Sequence, residues 1–125
     1  MKKNLKFTIF GNQEDKKGNS IPYHRTTQGS YWNAGSQRYL AWKNYVVKEF
    51  CKQTGVKDTS KKPILKSNDK IHVVMNIYFK DKTHADSDNI FKGIADSLFQ
   101  NDKYVSGSFD FFYDANNPRV EVEIK

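Results

Sequence analysis

Between Ile71 and Phe79 every second residue is apolar, with Ile71, Val73, Met75, Ile77 and Phe79 falling on one parity. Successive side chains of a strand point to opposite faces, so this run predicts a strand with one face in the core. A helix would scatter the same five side chains around its axis and bury none of them together.

Other segments arrange themselves around that strand. Leu5 to Phe10 reads as a short strand ended by Gly11. From Ser36 to Thr54 the period changes: Tyr39, Trp42, Val46 and Phe50 recur at helical spacing, and Leu40, Val47 and Cys51 widen the stripe. Ser36 suits the N-cap and Gly55 the terminator. A second helix is predicted from Asn89 to Phe99 and a strand from Tyr104 to Tyr113. A turn at Asp114–Pro118 then leads into a last strand carrying Val120, Val122 and Ile124. The order β-α-β-α-β-β predicts an α/β (α+β) fold: one small domain over 1–125, with a mixed sheet packed against two helices.

Two longer stretches lack this periodicity. Asn12 to Gly35 is polar and long for a loop, and such loops are usually functional or mobile. It carries Lys16, Lys17, His24 and Arg25 among Tyr23, Tyr31 and Trp32. Lys57 to Lys66 is a basic loop interrupted by Pro63. The formal net charge of +7 makes polyanions, nucleic acid above all, the natural partner class, although a basic solvated surface has the same composition. No apolar run is long enough for a membrane span or shaped like a signal peptide. The lone Cys51 excludes an intrachain disulfide and fits a cytoplasmic setting.

Chemistry concentrates in Asp86-Ser-Asp88-Asn89-Ile-Phe-Lys92-Gly-Ile-Ala-Asp96-Ser-Leu98. In an extended approach Asp86 and Asp88 face the same way, and Asp88 takes the N-cap position of the helix. Projected on that helix, Ile90, Phe91, Ile94 and Leu98 form an apolar face, while Asp88, Asn89, Lys92 and Asp96 share the polar arc. Two converging carboxylates repel, and a hard divalent cation such as Mg²⁺ supplies the counter-charge while leaving room for water and phosphate oxygens. Lys92, one turn beyond Asp88, can steady a phosphate or a leaving oxygen. Asp102 follows soon after the helix and reaches the same place if its loop folds back. Each element also has an ordinary explanation: acids are common at helix starts, and an Asp-to-Lys step of four is a common surface pair. His84, in the turn beside the acids, reads as a surface residue, and Lys43 as a lysine whose stem lies along apolar surface.

The motif Asp-x-Asp-Asn-x-x-Lys-x-x-x-Asp-x-Leu over 86–98, followed by Asn101-Asp102 and a strand, resembles the RusA family of Holliday junction resolvases. Specific identity is confined to residues 86–105, while the order of elements agrees along almost the whole chain. The resemblance implies a homodimeric, Mg²⁺-dependent endonuclease that introduces paired nicks in four-way DNA junctions. It implies Asp86, Asp88 and Asp102 as metal-binding acids, Lys92 as the essential lysine, and Asn89 and Asp96 as supporting residues. It also sets the basic segment around Ile21-Pro22-Tyr23-His24-Arg25, with Lys16 and Lys17, in a DNA-binding role; Arg25 can grip a phosphate bidentately. Two departures stand out: only Phe99-Gln100-Asn101 separates the helix from Asp102, and Asn101-Asp102 replaces the family's Asp-Asp. Two other functions use similar residues, a non-catalytic branched-DNA-binding module and an Asp-x-Asp nucleotide-sugar enzyme. The second normally needs a larger nucleotide-binding domain than this chain has length for.

Overall fold

A computed structural model describes residues 4–11, 33–58, 65, 71–99 and 105–125. Its elements are β1 (Leu5–Phe10), α1 (Ala34–Thr54), β2 (Ile71–Phe79), α2 (Ser87–Leu98), β3 (Val105–Tyr113) and β4 (Arg119–Ile124). This is the predicted β-α-β-α-β-β order, and the four strands form one sheet in the order β1-β4-β2-β3. β4 lies antiparallel to both β1 and β2, while β2 and β3 run parallel with α2 as their crossover.

The alternation in β2 buries Val73, Met75, Ile77 and Phe79 beneath the helices, each about 1% exposed. Their neighbours Val120, Val122 and Ile124 on β4, and Phe7 and Ile9 on β1, join them. From α1, Tyr39, Trp42, Val46, Val47 and Phe50 close this core, as the helical stripe predicts. α2 buries more than its projected face: beside Ile90, Ile94 and Leu98, the small residues Gly93, Ala95 and Ser97 are buried too. They occur where α2 must pack against both sheet and α1, and the Ser97 hydroxyl is satisfied by donating to the Gly93 carbonyl at 2.8 Å.

The helix ends correct the sequence reading in two places. α1 begins two residues before Ser36, because Asn33 is the N-cap and its Oδ1 accepts from the Ser36 N–H at 2.8 Å. An Asn cap satisfies an orphan amide as well as Ser does, and it leaves Ser36 buried in the first turn. α2 begins at Ser87 rather than Asn89, so Asp86, not Asp88, occupies the N-cap. At the other end of α1 the expected terminator holds: Gly55 has φ +79°, and its N–H reaches the Cys51 carbonyl at 3.0 Å. Cys51 is half-buried against the core, as its place on the stripe predicts.

The other face of the sheet carries no described helix and mixes charged groups with aromatic ones: Phe10 is exposed there and Tyr78 stacks on Phe112, ring centroids 5.1 Å apart. Arg119 lies over the Tyr78 ring at 3.8 Å and reaches Asp114 at 2.9 Å, tying β4 to the turn before it. Glu121 and Glu123 lie on this face with Lys6 and Asn76. No helix among the described residues is long and apolar enough to cross a membrane.

Candidate active site

The motif residues gather where β2 ends and α2 begins. β2 stops at Phe79, and the turn that follows is shaped by the Asp81 carboxylate accepting from the Thr83 N–H at 2.9 Å. His84 then folds back flat against Phe79, with ring centroids 3.7 Å apart and planes 7° apart. Its Nδ1 lies 2.7 Å from the Ala85 carbonyl, which can only accept, so Nδ1 carries the hydrogen. Its Nε2 lies 3.2 Å from the Tyr113 hydroxyl and, with the hydrogen on Nδ1, can accept the phenol hydrogen. His84 is therefore a half-buried brace between the turn and the end of β3, not a surface residue. Proximity in sequence gave no hint of Tyr113, which is 29 positions away.

Asp86 follows in extended conformation, φ −62° and ψ 136°. Its backbone carbonyl accepts from Asn89 and Ile90 at 3.0 and 3.2 Å, but its side chain makes no capping bond. An aspartate at this position ordinarily spends its carboxylate on the first-turn amides. Here the residue is exposed and its carboxylate makes no such bond. Asp88 sits in the first turn of α2, also exposed, so the pair is formed by an extended residue and a helical one. The strand-parity argument for their alignment does not apply. What unites them is the helix N-terminus, whose partial positive charge favours carboxylates and phosphates alike.

Asn89 is half-buried and Lys92 exposed, on the following turn. Asp96 is placed differently. It lies eight residues beyond Asp88, about 12 Å along the axis, and its Oδ2 takes the Tyr39 hydroxyl at 2.7 Å and Lys43 Nζ at 3.0 Å. Lys43 thus pairs across the helix interface besides covering apolar surface, and it lies 5.5 Å from the Tyr39 ring centroid. Asp96 fixes α2 against α1 and so positions the residues upstream. Asp102, Arg25, Lys16, Lys17 and His24 lie outside the described residues.

Among the described residues no set of three or more His, Cys, Asp or Glu converges as a metal cage. Two exposed carboxylates, one of them withheld from capping, fit the sparing protein ligation that Mg²⁺ accepts, with water and phosphate oxygens completing the shell. They do not fit a structural Zn²⁺ site, which needs four closed N or S donors. The arrangement also follows the rule for α/β sheets, in which sites form beyond the carboxyl ends of parallel strands.

The family model described as endodeoxyribonuclease RusA matches residues 17–125, which includes every described element except β1. None of the curated proteins matches the chain.

Proposed function

Because the chain belongs to the RusA endodeoxyribonuclease family, and so to the Holliday junction resolvases, we propose that Asp86 and Asp88 bind Mg²⁺ and that the α2 N-terminus is where DNA is cut. The observation that carries this is the Asp86 carboxylate, placed at a helix cap yet making no cap bond. A residue kept for structure would spend that oxygen on the helix; one kept for a cation would not.

In this reading Asp86 and Asp88, with Asp102, hold the cation. When bound, it lowers the pKa of a coordinated water and neutralises charge on the phosphate. Water attacks phosphorus and the bond to the 3′ oxygen breaks, leaving a 5′-phosphate and a 3′-hydroxyl. Lys92 faces the phosphate and steadies the leaving oxygen as negative charge develops there. Asn89 orients the first turn, and Asp96 acts at a distance by holding α2 on α1. Arg25, His24, Lys16 and Lys17 bind the DNA backbone. The functional unit is a homodimer, since paired nicks in a two-fold junction require two active sites related by a two-fold axis.

The test is cleavage of a labelled four-way junction and a matched linear duplex, with Mg²⁺ or EDTA, by the wild type and Asp88→Asn. Symmetric, Mg²⁺-dependent nicking of the junction, lost in the variant and weak on duplex, is expected. Tight junction binding with no cleavage under any divalent metal would instead mark a branched-DNA-binding module. Equal cutting of both substrates would keep the nuclease and remove its junction preference.

A further inference from the structure

β3 is an edge strand of nine residues, paired with β2 in unbroken register from Ile71 opposite Val105 to Phe79 opposite Tyr113. Its other edge has no strand partner among the described residues. Monomeric proteins protect such edges with lysine, proline, bulges or short strands. β3, Val-Ser-Gly-Ser-Phe-Asp-Phe-Phe-Tyr, has none of these.

Four of the five large hydrophobic residues exposed among the described residues lie on β3. Phe109, Phe111, Phe112 and Tyr113 are 38%, 51%, 43% and 47% exposed, against 1% for the β2 residues Met75, Ile77 and Phe79 beside them. Phe109, Phe111 and Tyr113 share the helix side of the sheet, forming a row that continues the core past α2. Taking about 200 Å² for a whole ring, the four rings expose roughly 350 Å² per chain. Edge-to-edge pairing of two copies would cover part of this ring surface on each chain together with the edge backbone, a contact at the small end of specific interfaces.

Charge selects the occupant. In a chain of net charge +7, β3 contains no Lys or Arg and one acid, Asp110. A DNA surface needs cations at the phosphates, whereas two copies of a cationic chain approach best through a patch free of positive charge. We propose that β3 pairs antiparallel with β3 of a second copy, about a two-fold axis normal to the sheet at Phe111. This rests on the homodimer proposed above and locates its contact.

The register follows from side chains. A two-fold normal to the sheet keeps each face on its own side, so odd residues meet odd ones. Centring on Asp110 would oppose two like charges directly. Centring on Phe111 sets Phe111 against its own copy and Phe109 against Tyr113 of the copy, making one aromatic row. The result is a continuous eight-stranded sheet with both α2 N-termini on the same side, as one junction contacted by two sites requires.

The test uses sedimentation and crosslinking of the full chain. Phe111→Arg is expected to convert a dimer into a monomer with native circular dichroism. Phe111→Cys in a Cys51→Ser background is expected to form a disulfide-linked dimer on mild oxidation, since directly opposed Cβ atoms stand about 5 Å apart. The Phe111→Arg protein is further expected to lose paired cutting while still nicking single strands of the junction with Mg²⁺. A monomeric wild type overturns the proposal, as does a dimer that survives Phe111→Arg and fails to crosslink. If the wild type is monomeric and Phe111→Arg instead weakens junction binding, the row is a stacking platform for bases and the proposal falls. None of these outcomes touches the nuclease reading, which fails only if the wild type cuts nothing.

Discussion

Tyr39 on α1 donates its hydroxyl hydrogen to Asp96 on α2 at 2.7 Å, joining residues 57 positions apart. Lys43 reaches the same carboxylate oxygen at 3.0 Å. Tyr39 is almost wholly buried while Asp96 is partly exposed, so the bond joins the interior of the helix interface to its rim. Tyr39→Phe removes one hydrogen bond to a charged acceptor and is expected to cost about 1.5 kcal/mol in urea denaturation. Lys43→Met is expected to change stability by no more than about 0.5 kcal/mol, because both charged groups are partly solvated. A larger loss from Lys43→Met than from Tyr39→Phe would show that the ion pair, not the hydroxyl, joins the helices.

The two N-caps should respond in opposite ways. Asn33→Ala breaks a 2.8 Å cap bond and is expected to destabilise by about 1 kcal/mol. Asp86→Asn breaks no cap bond at an exposed position, so thermal stability without metal should stay within about 0.5 kcal/mol of wild type. Junction cleavage by Asp86→Asn should nevertheless fall at least ~100-fold, a loss of about 2.7 kcal/mol in transition-state stabilisation. Millimolar Mg²⁺ should raise the Tm of the wild type and not of Asp86→Asn.

Gly107 is required by close packing. A Cβ there would collide with the end of the Phe91 ring and sit 2.7 Å from the Val73 carbonyl oxygen. The ring can rotate away; the β2 backbone can do so only by distorting the pairing with β3. Gly107→Ala is expected to cost about 2–3 kcal/mol. Adding Phe91→Leu should recover part of that, and complete recovery would mean that the Val73 contact yields freely.

Acid should loosen the turn between β3 and β4. The hydrogen bond from Arg119, the main cause, holds the Asp114 carboxyl below its ordinary 3.8. A carboxyl lowered in the folded state contributes stability above its unfolded pKa and loses it as pH falls through the folded value. The Tm difference between wild type and Asp114→Asn should therefore be constant near neutrality and shrink below about pH 3.8. A difference that persists to lower pH would show that the contribution is not ionic.

Much of this architecture is legible because local spacing and burial agree. The alternation in β2 and the α1 stripe sit on faces that pack only against the core, so period alone locates them. Gly55 marks the end of α1 because its left-handed backbone is one that other residues rarely adopt. Caps were harder: Asn33 and Ser36 are both good caps, as are Asp86 and Asp88, and sequence cannot rank them. β3 misleads in another way. Its adjacent Phe111 and Phe112 put apolar residues on both parities, a pattern normally read as burial on both faces. Here it reflects an edge whose rings remain open to solvent.

The sequence by itself determined the elements, their order and the acidic motif at the start of α2, since these depend on residues a few positions apart. Tertiary structure alone decided that Asp86 withholds its side chain from the cap, that Asp96 belongs to Tyr39 and Lys43, and that His84 braces Tyr113. It alone set β3 at the edge, because strand order is not written in local periodicity. Those relations join residues brought together only when the sheet is assembled, and their energies depend on burial and direction that spacing does not encode.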